Sequence, residues 1–560
     1  MDAHHGGETA NGSPPNDGVS RRKDLYMRIT CLGASRCVTG SCFLLENDRK
    51  YLIDCGLFQG GRHMEAMNHH EWGFDPREIS ALFLTHAHVD HCGRIPKLVK
   101  NGFRGRIYTT LPTAELCRIL LFDSAHIQEM EAEWQTRKNR REGKPDVSPL
   151  YTVDDVKACL PLFEVVSTDE ILSIQPEFRV CFRHAGHILG SSILEVWCDE
   201  AQGPSKAVFS GDLGHKGQLI VRDPYAVTDA DILFVESTYG NRVHKSIEES
   251  RRELFEAIHY SYKHKEKVIV PAFAVERTQE ILFVLSQAFR EGLIPSMPVY
   301  LDSPLAIAAT DIFRRTTEYY NDSTLALIAD GLDPFDFPQL TFTRSSEESI
   351  AINRNSGPAI VIAGNGMCTA GRIKHHLKHN LWRPGSSLVI VGFQGEGSLG
   401  RRIIEGAKLL TILGERVVVR AKVFTIGGFS AHADQTDLLE WLAHFTNQLM
   451  QVHVIHGERS ASEDFALLVR QRFGFPTDVP AIGDIISLAA PGRARVERPE
   501  AAEPEWNQRL ARIIDKAAEI RSLWESNRGL FPAQIPSELE RDLLRAEERL
   551  DALLKRAPSA

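Results

Sequence analysis

The chain has no Cys-x-x-Cys pair, no apolar run approaching a membrane span, no internal repeat and no excess of positive charge. Each absence excludes something. Without Cys-x-x-Cys spacing, Cys-ligated zinc and thioredoxin-like redox chemistry lose their usual signature. The ten cysteines, from Cys31 to Cys368, fall mostly inside apolar runs. They read as free core thiols in a reducing compartment, so the expected location is cytoplasmic. No segment is apolar enough for a span of roughly 20 residues, so no membrane is expected. A formal net charge of −9, from 65 basic and 74 acidic residues, argues against a surface that coats nucleic acid broadly. It leaves room for a local basic groove. Residues 1–24 are rich in Gly, Asn, Asp, Ser and Pro, lack the apolar core of a signal peptide, and read as a disordered tail. At 560 residues, 43% apolar and 25% charged, the chain reads as a soluble protein of more than one domain.

What the chain does have is concentrated in Ile79–Gly93, ISALFLTHAHVDHCG. An apolar, β-rich stretch runs directly into His86, His88, Asp90 and His91, with Ala87 and Val89 as small or apolar spacers. Imidazoles and a carboxylate packed this densely destabilise a fold unless they find partners, so the cluster reads as a metal site. A zincin helix would place two histidines at i and i+4. Here the ligands alternate at what reads as a strand end, so neighbouring side chains are expected to point to two different metals.

The same grammar recurs along the chain. In KYLIDCG, Asp54 leaves a strand into Gly56, either as a turn former or as a group orienting a ligand. In HAGHILGSS, His187 lies between Gly186 and Gly190, which let backbone crowd close to a site. In KAVFSGDLG, Asp212 follows the strand AVFS, and in DILFVESTYGNR, Glu236 ends another. Taken singly, each of these could be structural. The pattern resumes much later with His432 in FTIGGFSAHAD and His456 in QVHVIHGE. Asp434, with Asp437 three residues on, reads as a helix N-cap.

Between these parts of one site, residues 241–427 have their own rhythm of strand, turn and helix, which suggests a parallel sheet. VIVPAF reads as a strand and Arg277–Glu291 as an amphipathic helix. The turns Gly364–Gly366 and Gly395–Gly400 could expose N–H groups to phosphate or simply be tight turns; neither is a Walker or dinucleotide fingerprint. Thr113–Arg141 reads as a long helix with a solvated basic end. After about residue 489, RARVERPEAAEPEW reads as a polar linker leading into helices. Leu539, Leu543, Leu550 and Leu554 form one apolar stripe there, suited to a homodimer or protein partner.

His86-x-His88-x-Asp90-His91 after a hydrophobic strand resembles the signature of the metallo-β-lactamase superfamily. Glu236 in ESTYGNR, His432 in GGFSAHAD and His456 in VIHGE resemble motifs A, B and C of its β-CASP branch. PAFAVERTQE, LDSPLA and GNGMCTAGR support the match inside the insert. The fold this implies is α/β: a metallo-β-lactamase αββα sandwich from residues 25–240 and 428–488, an inserted α/β β-CASP domain at 241–427, and a C-terminal helical extension within 489–560. The resemblance also implies two zinc ions, one held by His86, His88 and His187, the other by Asp90, His91 and His456, with Asp212 bridging. Asp54 becomes an orienting group by the same resemblance, and Asp90, Glu236, His432 and Asp54 the catalytic set. Glu236 and His432 are candidates for protonating a leaving oxygen, since a carboxylate partner raises an imidazole pKa. Motif C is histidine in RNA-directed members, so His456 implies an RNA phosphodiesterase leaving a 3′-hydroxyl and a 5′-phosphate. Arg277, Ser303, Arg372 and Ser430 are candidate substrate contacts. Glu276 stands where the resemblance predicts glycine, placing an acidic group near the expected phosphate path. A small-molecule metallohydrolase such as a thioesterase or lactonase would need neither the Glu236–His432 pair nor the insert. His456 counts against a DNA nuclease. A non-catalytic scaffold of an RNA-processing complex would usually have lost ligands, and none is missing here.

Overall fold

The computed structural model describes residues 27–200, 203–392, 394–395, 397–490 and 493–497. The expected tail at 1–24 and the expected C-terminal helices lie outside the described residues.

Short β-rich runs build two facing sheets. The first has eight strands in the order Arg493–Glu497, Ile485–Ala490, Arg28–Cys31, Phe43–Glu46, Lys50–Ile53, Ile79–Phe83, Arg106–Thr109 and Phe163–Val165. The second has seven, ordered Thr477–Asp478, Gln451–Ile455, Ile232–Glu236, Gly203–Phe209, Ser192–Glu200, Phe178–His184 and Ile171–Gln175. Aromatic side chains fill the space between them. Phe209 stacks on Phe234 with ring centroids 4.5 Å apart, and Tyr51 on Phe178 at 4.2 Å. Each buried ring of this kind stabilises the sandwich by about 1.5–3 kcal/mol. Helices cover both outer faces. Leu438, Leu442, Phe465 and Val469 pack on Val208, Leu233 and Val454 of the second sheet. Leu98, Leu116, Leu121 and Val156 cover the first. This is the αββα order expected.

Register explains why the chemistry gathers at one edge. Ile53 pairs with Phe83 in parallel, so Asp54 and the His86 segment leave the first sheet side by side. In the second sheet, Phe209 pairs with Phe234 and Glu236 with Ile455, again in parallel. Asp212, Glu236 and His456 therefore emerge from adjacent strand ends.

The insert contributes a third sheet of six strands, drawn wholly from residues 267–425 and paired in parallel throughout. Strand-turn-helix alternation predicts that arrangement, because parallel neighbours need crossovers. The helix Arg277–Arg290 begins where expected but is not amphipathic in its burial. All of residues 277–286 are buried, because one apolar cluster runs from the metallohydrolase helices through Ile188 and Leu189 into Val275, Ile281 and Leu285.

Two further readings change, and one left open is decided. RARVE, expected within a linker, is the strand Arg493–Glu497, paired antiparallel with Ile485–Ala490. The strand before His86 stops at Phe83, and Val89–Cys92 forms one helical turn. A change from loop to helix, not strand alternation, therefore separates the clustered side chains. The turn at Gly364–Gly366 closes on itself: Asn365 N–H donates to the Ala370 carbonyl, and the Asn365 side chain accepts from Thr369 N–H. All ten cysteines are free and nine are buried. Among the described residues, no helix is long and apolar enough to cross a membrane.

Candidate metal centre and proton-transfer pair

Two close approaches of backbone make the centre possible. A Cβ at Gly56 would lie 1.6 Å from the Asp90 carbonyl oxygen, so only glycine lets the Asp54 turn pack under the His88–His91 turn. Gly186 has φ +67°, and a Cβ there would meet Pro224 at 2.7 Å; glycine brings the His187 loop inward without strain.

Three imidazole nitrogens converge first. His88 Nδ1 lies 3.2 Å from His86 Nε2 and 3.1 Å from His187 Nε2. Asp212 Oδ2 stands 3.5 Å from His86 Nε2 and 3.6 Å from His187 Nε2. A second set gathers beside it. His91 Nε2 is 3.1 Å from His456 Nε2, and Asp90 Oδ2 is 3.6 Å from that same nitrogen. Asp212 Oδ1 faces this set, 3.3 Å from His91 Nε2 and 3.5 Å from His456 Nδ1. The two oxygens of one carboxylate thus serve two ligand sets.

The donor chemistry fits metal ions. Burial pushes the His86 and His187 imidazoles well below their ordinary value and His88 down to about 4. At neutral pH these rings are uncharged, so their converging nitrogens can offer lone pairs to a metal ion. Burial also opposes charge on His91, but Asp212 and Asp54 outweigh it and hold that imidazole well above its ordinary value, the same negative field that would favour a metal cation in the proton's place. Burial would raise Asp212, yet His456, His91 and His86 keep it ionised, well below the carboxylate range.

Around these two clusters sits a ring of hydrogen-bonding side chains. Asp54 accepts from His91 Nδ1 at 2.7 Å, from Ser41 Oγ at 2.9 Å and from the Thr85 N–H at 2.9 Å. Asp54 itself has φ +58°, outside the common range for a non-glycine residue. Thr85 Oγ1 lies 3.1 Å from His86 Nδ1, and Thr238 Oγ1 3.0 Å from His456 Nδ1. Sequence reasoning passed over Ser41, Thr85 and Thr238. For the two threonines the signal was there: one precedes His86 directly and the other follows Glu236 by two residues.

Glu236 and His432 meet at the rim. His432 Nδ1 lies 3.1 and 3.2 Å from the two Glu236 oxygens. Glu236 Oε1 also accepts from the Leu213 N–H at 2.7 Å. Burial would lower His432, but Glu236, Asp212 and Asp90 together raise it above its ordinary value. Its imidazole lies 4.3 Å, centroid to centroid, from that of His187. Asp434 caps the following helix through a capping box with Asp437.

The four expected substrate contacts divide. Ser430 hydrogen-bonds the Tyr239 phenol, which also feels the Arg277 charge, and Tyr239 lies 6.0 Å from His432 ring to ring. Arg277 is buried and paired with Glu280. Ser303 instead caps the helix Pro304–Arg315. Arg372 is committed to Asp302 at 2.7 Å and to the Thr343 and Arg344 carbonyls, where it ties the insert together. The Glu276 carboxylate is buried and accepts from the Leu189 N–H at 2.8 Å.

Comparison with known proteins gives the chain's family. Residues 35–153 match the metallo-beta-lactamase superfamily, 278–403 the Beta-Casp domain, and 416–480 a Zn-dependent metallo-hydrolase RNA specificity domain. The chain is 40% identical over 435 residues to ribonuclease TTHA0252 of Thermus thermophilus, covering 77% of this chain and 93% of that protein. It is 32% identical over 488 residues to transcription termination factor FttA of Thermococcus kodakarensis, covering 84% of this chain and 72% of that one. The FttA of Methanocaldococcus jannaschii is 30% identical over 481 residues, covering 83% and 72%. With the metal-ligand clusters, the sandwich and the insert all in place, the chain belongs to the β-CASP branch of the metallo-β-lactamase superfamily.

Proposed function

We propose that the chain is a zinc-dependent ribonuclease that hydrolyses RNA to leave a 3′-hydroxyl and a 5′-phosphate. His86, His88 and His187 would hold one zinc ion, Asp90, His91 and His456 a second, and Asp212 would reach both. When bound, the metal pair supplies a nucleophile from water at neutral pH and stabilises charge on phosphoryl oxygens.

The protein's own groups do the rest. Asp54 and Thr85 fix the rings of His91 and His86, and Thr238 fixes His456, so the ligands are held before substrate arrives. Glu236 holds His432 by Nδ1 and favours its protonated form, so the imidazole can deliver a proton to the departing 3′-oxygen. Tyr239 and Ser430 line the same rim, with Arg277, paired to Glu280, beside them.

The observation that carries this reading is the Glu236–His432 pair set against Asp212, which lies 3.9 Å from His432 Nδ1. A ribose oxygen is a poor leaving group and needs a proton donor; a thiolate does not. The name ribonuclease on the 40% identical relative points to RNA, as does His456. The free, buried thiols suit a reducing compartment such as the cytoplasm. The helices read within residues 489–560 would serve a second copy or a protein partner, and light scattering of the intact chain separates a dimer from a monomer. The test of the reaction class is zinc-loaded protein assayed in parallel on an RNA oligonucleotide and an acyl thioester. RNA hydrolysis in large excess supports the reading, and the reverse order refutes it.

A further inference from the structure

Glu276 adopts φ +64° and ψ −59°, and the Arg277 N–H donates to the Val275 carbonyl at 2.9 Å. That is a γ-turn of positive φ, rare and strained for any residue with a side chain. The side chain at its centre is a carboxylate, 1% exposed. Burial and the neighbouring Glu280 push it well above the ordinary carboxyl range. Strained backbone and a buried acid at one residue are both unfavourable, and the resemblance predicts glycine there. Helix capping does not account for it. Glu276 starts the helix Arg277–Arg290 but gives that helix no side-chain cap. Its carboxylate turns away, out of the insert.

The group it meets is two residues beyond a proposed metal ligand. Glu276 Oε2 accepts from the Leu189 N–H at 2.8 Å. The neighbouring groups of that loop are held from within the metallohydrolase domain. Ser191 Oγ accepts from the His187 and Ile188 N–H groups at 3.1 and 3.2 Å. The Gly190 carbonyl accepts from Thr110 and Thr113 at 2.7 and 2.9 Å. Of the three N–H groups at 187–189, only that of Leu189 goes to the insert. Ile188 and Leu189 also share their apolar cluster with Val275 and Ile281. The insert therefore grips the loop by backbone and by side chain.

We propose that Glu276 is a positioning residue: across the domain boundary it fixes the loop that presents His187, so the insert helps complete the metal site. This rests on the reading of His187 as a zinc ligand. Losing an outer partner of a metal ligand typically weakens metal binding by roughly 10–100-fold, and Glu276, acting through the Leu189 N–H rather than on His187 itself, should fall at the lower end of that range.

The test titrates the full-length apoprotein with zinc against a chromophoric chelator, for wild type, His187→Ala, Glu276→Gln, Glu276→Met and Glu276→Gly. Glutamine keeps an acceptor for the Leu189 N–H, methionine keeps the shape without one, and glycine also relieves the backbone. His187→Ala identifies which binding step belongs to the His187 set. The expected result is that the methionine and glycine variants weaken that step by about 10-fold or more and leave the other unchanged, while glutamine stays within about 3-fold of wild type. Circular dichroism confirms that each variant is folded, and the glutamine–methionine comparison stands alone if glycine perturbs the helix start. Wild-type titrations for the methionine and glycine variants, with a step lost in His187→Ala, would overturn the positioning role alone. Equal weakening in all three Glu276 variants would overturn it too, since the acceptor would then be irrelevant. No step lost in His187→Ala would instead bring down the ligand reading itself.

Discussion

Replacing Glu236 with glutamine removes one charge while keeping the side chain's shape, and the surroundings dictate the consequence. Glutamine's oxygen can still accept from the Leu213 N–H, now 2.7 Å from Glu236 Oε1. It cannot offer His432 Nδ1 two anionic acceptors, which lie at 3.1 and 3.2 Å. Burial opposes the imidazolium, and Glu236 is the foremost of the groups that overcome it. In Glu236→Gln the His432 pKa should therefore fall, since the largest of the groups that raise it is gone while Asp212 and Asp90 remain. General acid catalysis contributes about 10²–10⁴-fold, or roughly 3–5 kcal/mol of barrier. RNA cleavage should fall by about that factor. Loss of a proton donor should depend on the leaving group, so hydrolysis of a bis(nitrophenyl) phosphate, whose leaving group needs no proton, should fall by less than about 10-fold. The assay is single-turnover cleavage of both substrates by variants of confirmed metal content. Equal losses on the two substrates, or wild-type RNA cleavage, would refute the proton-transfer role.

Other outcomes are expected from the same structure. Asp212→Ala removes the carboxylate that faces both ligand sets, so bound zinc measured by atomic emission should fall at both sites, whereas His187→Ala should lose one. Chelation should abolish RNA cleavage and zinc should restore it, as read on a gel. Phe234→Ala empties a stacked position between the sheets and should cost about 3–5 kcal/mol in denaturant unfolding. Asp302, buried, accepts from Thr343 and His376 at 2.7 Å, from Ser349 at 2.6 Å and from Arg372 at 2.7 Å. Asp302→Asn should destabilise the zinc-free protein by about 3 kcal/mol at pH 7. Burial would raise this carboxyl, but His376, Ser349, Thr343 and Arg372 depress it below its unfolded value. Its stabilisation is therefore full above about pH 4 and shrinks in acid, so the gap to the variant should narrow by about 1 kcal/mol at pH 3.

The metal centre was legible because its chemistry is written in short runs. His86, His88, Asp90 and His91 lie within six residues, and few folds tolerate such density without a ligand. Asp212, Glu236 and His456 were legible for another reason: each follows a short apolar strand, and parallel register then aligns those strand ends. The Glu236–His432 contact, across 196 positions of chain, rested on the two residues flanking the insert and on resemblance, since no local pattern brings a strand end to a distant helix start. An arginine or serine beside glycines reads the same in sequence whether it faces phosphate or, like Arg372, a buried aspartate, so the partners of Arg372 and Ser303 are visible only in the structure. Orienting groups such as Thr85 were overlooked because a single hydroxyl has no periodicity. The orientation of Glu276 could not be foreseen either, because its partner is a backbone N–H 87 positions away.

The most direct test of the account is cleavage of matched, end-labelled RNA and DNA oligonucleotides by the zinc-loaded chain, with folded Asp90→Ala protein as control. The account predicts that RNA is cut to products bearing a 5′-phosphate, that DNA is cut far more slowly, and that Asp90→Ala cuts neither. Intact RNA with both zinc ions bound, or equal cleavage by wild type and Asp90→Ala, would contradict it.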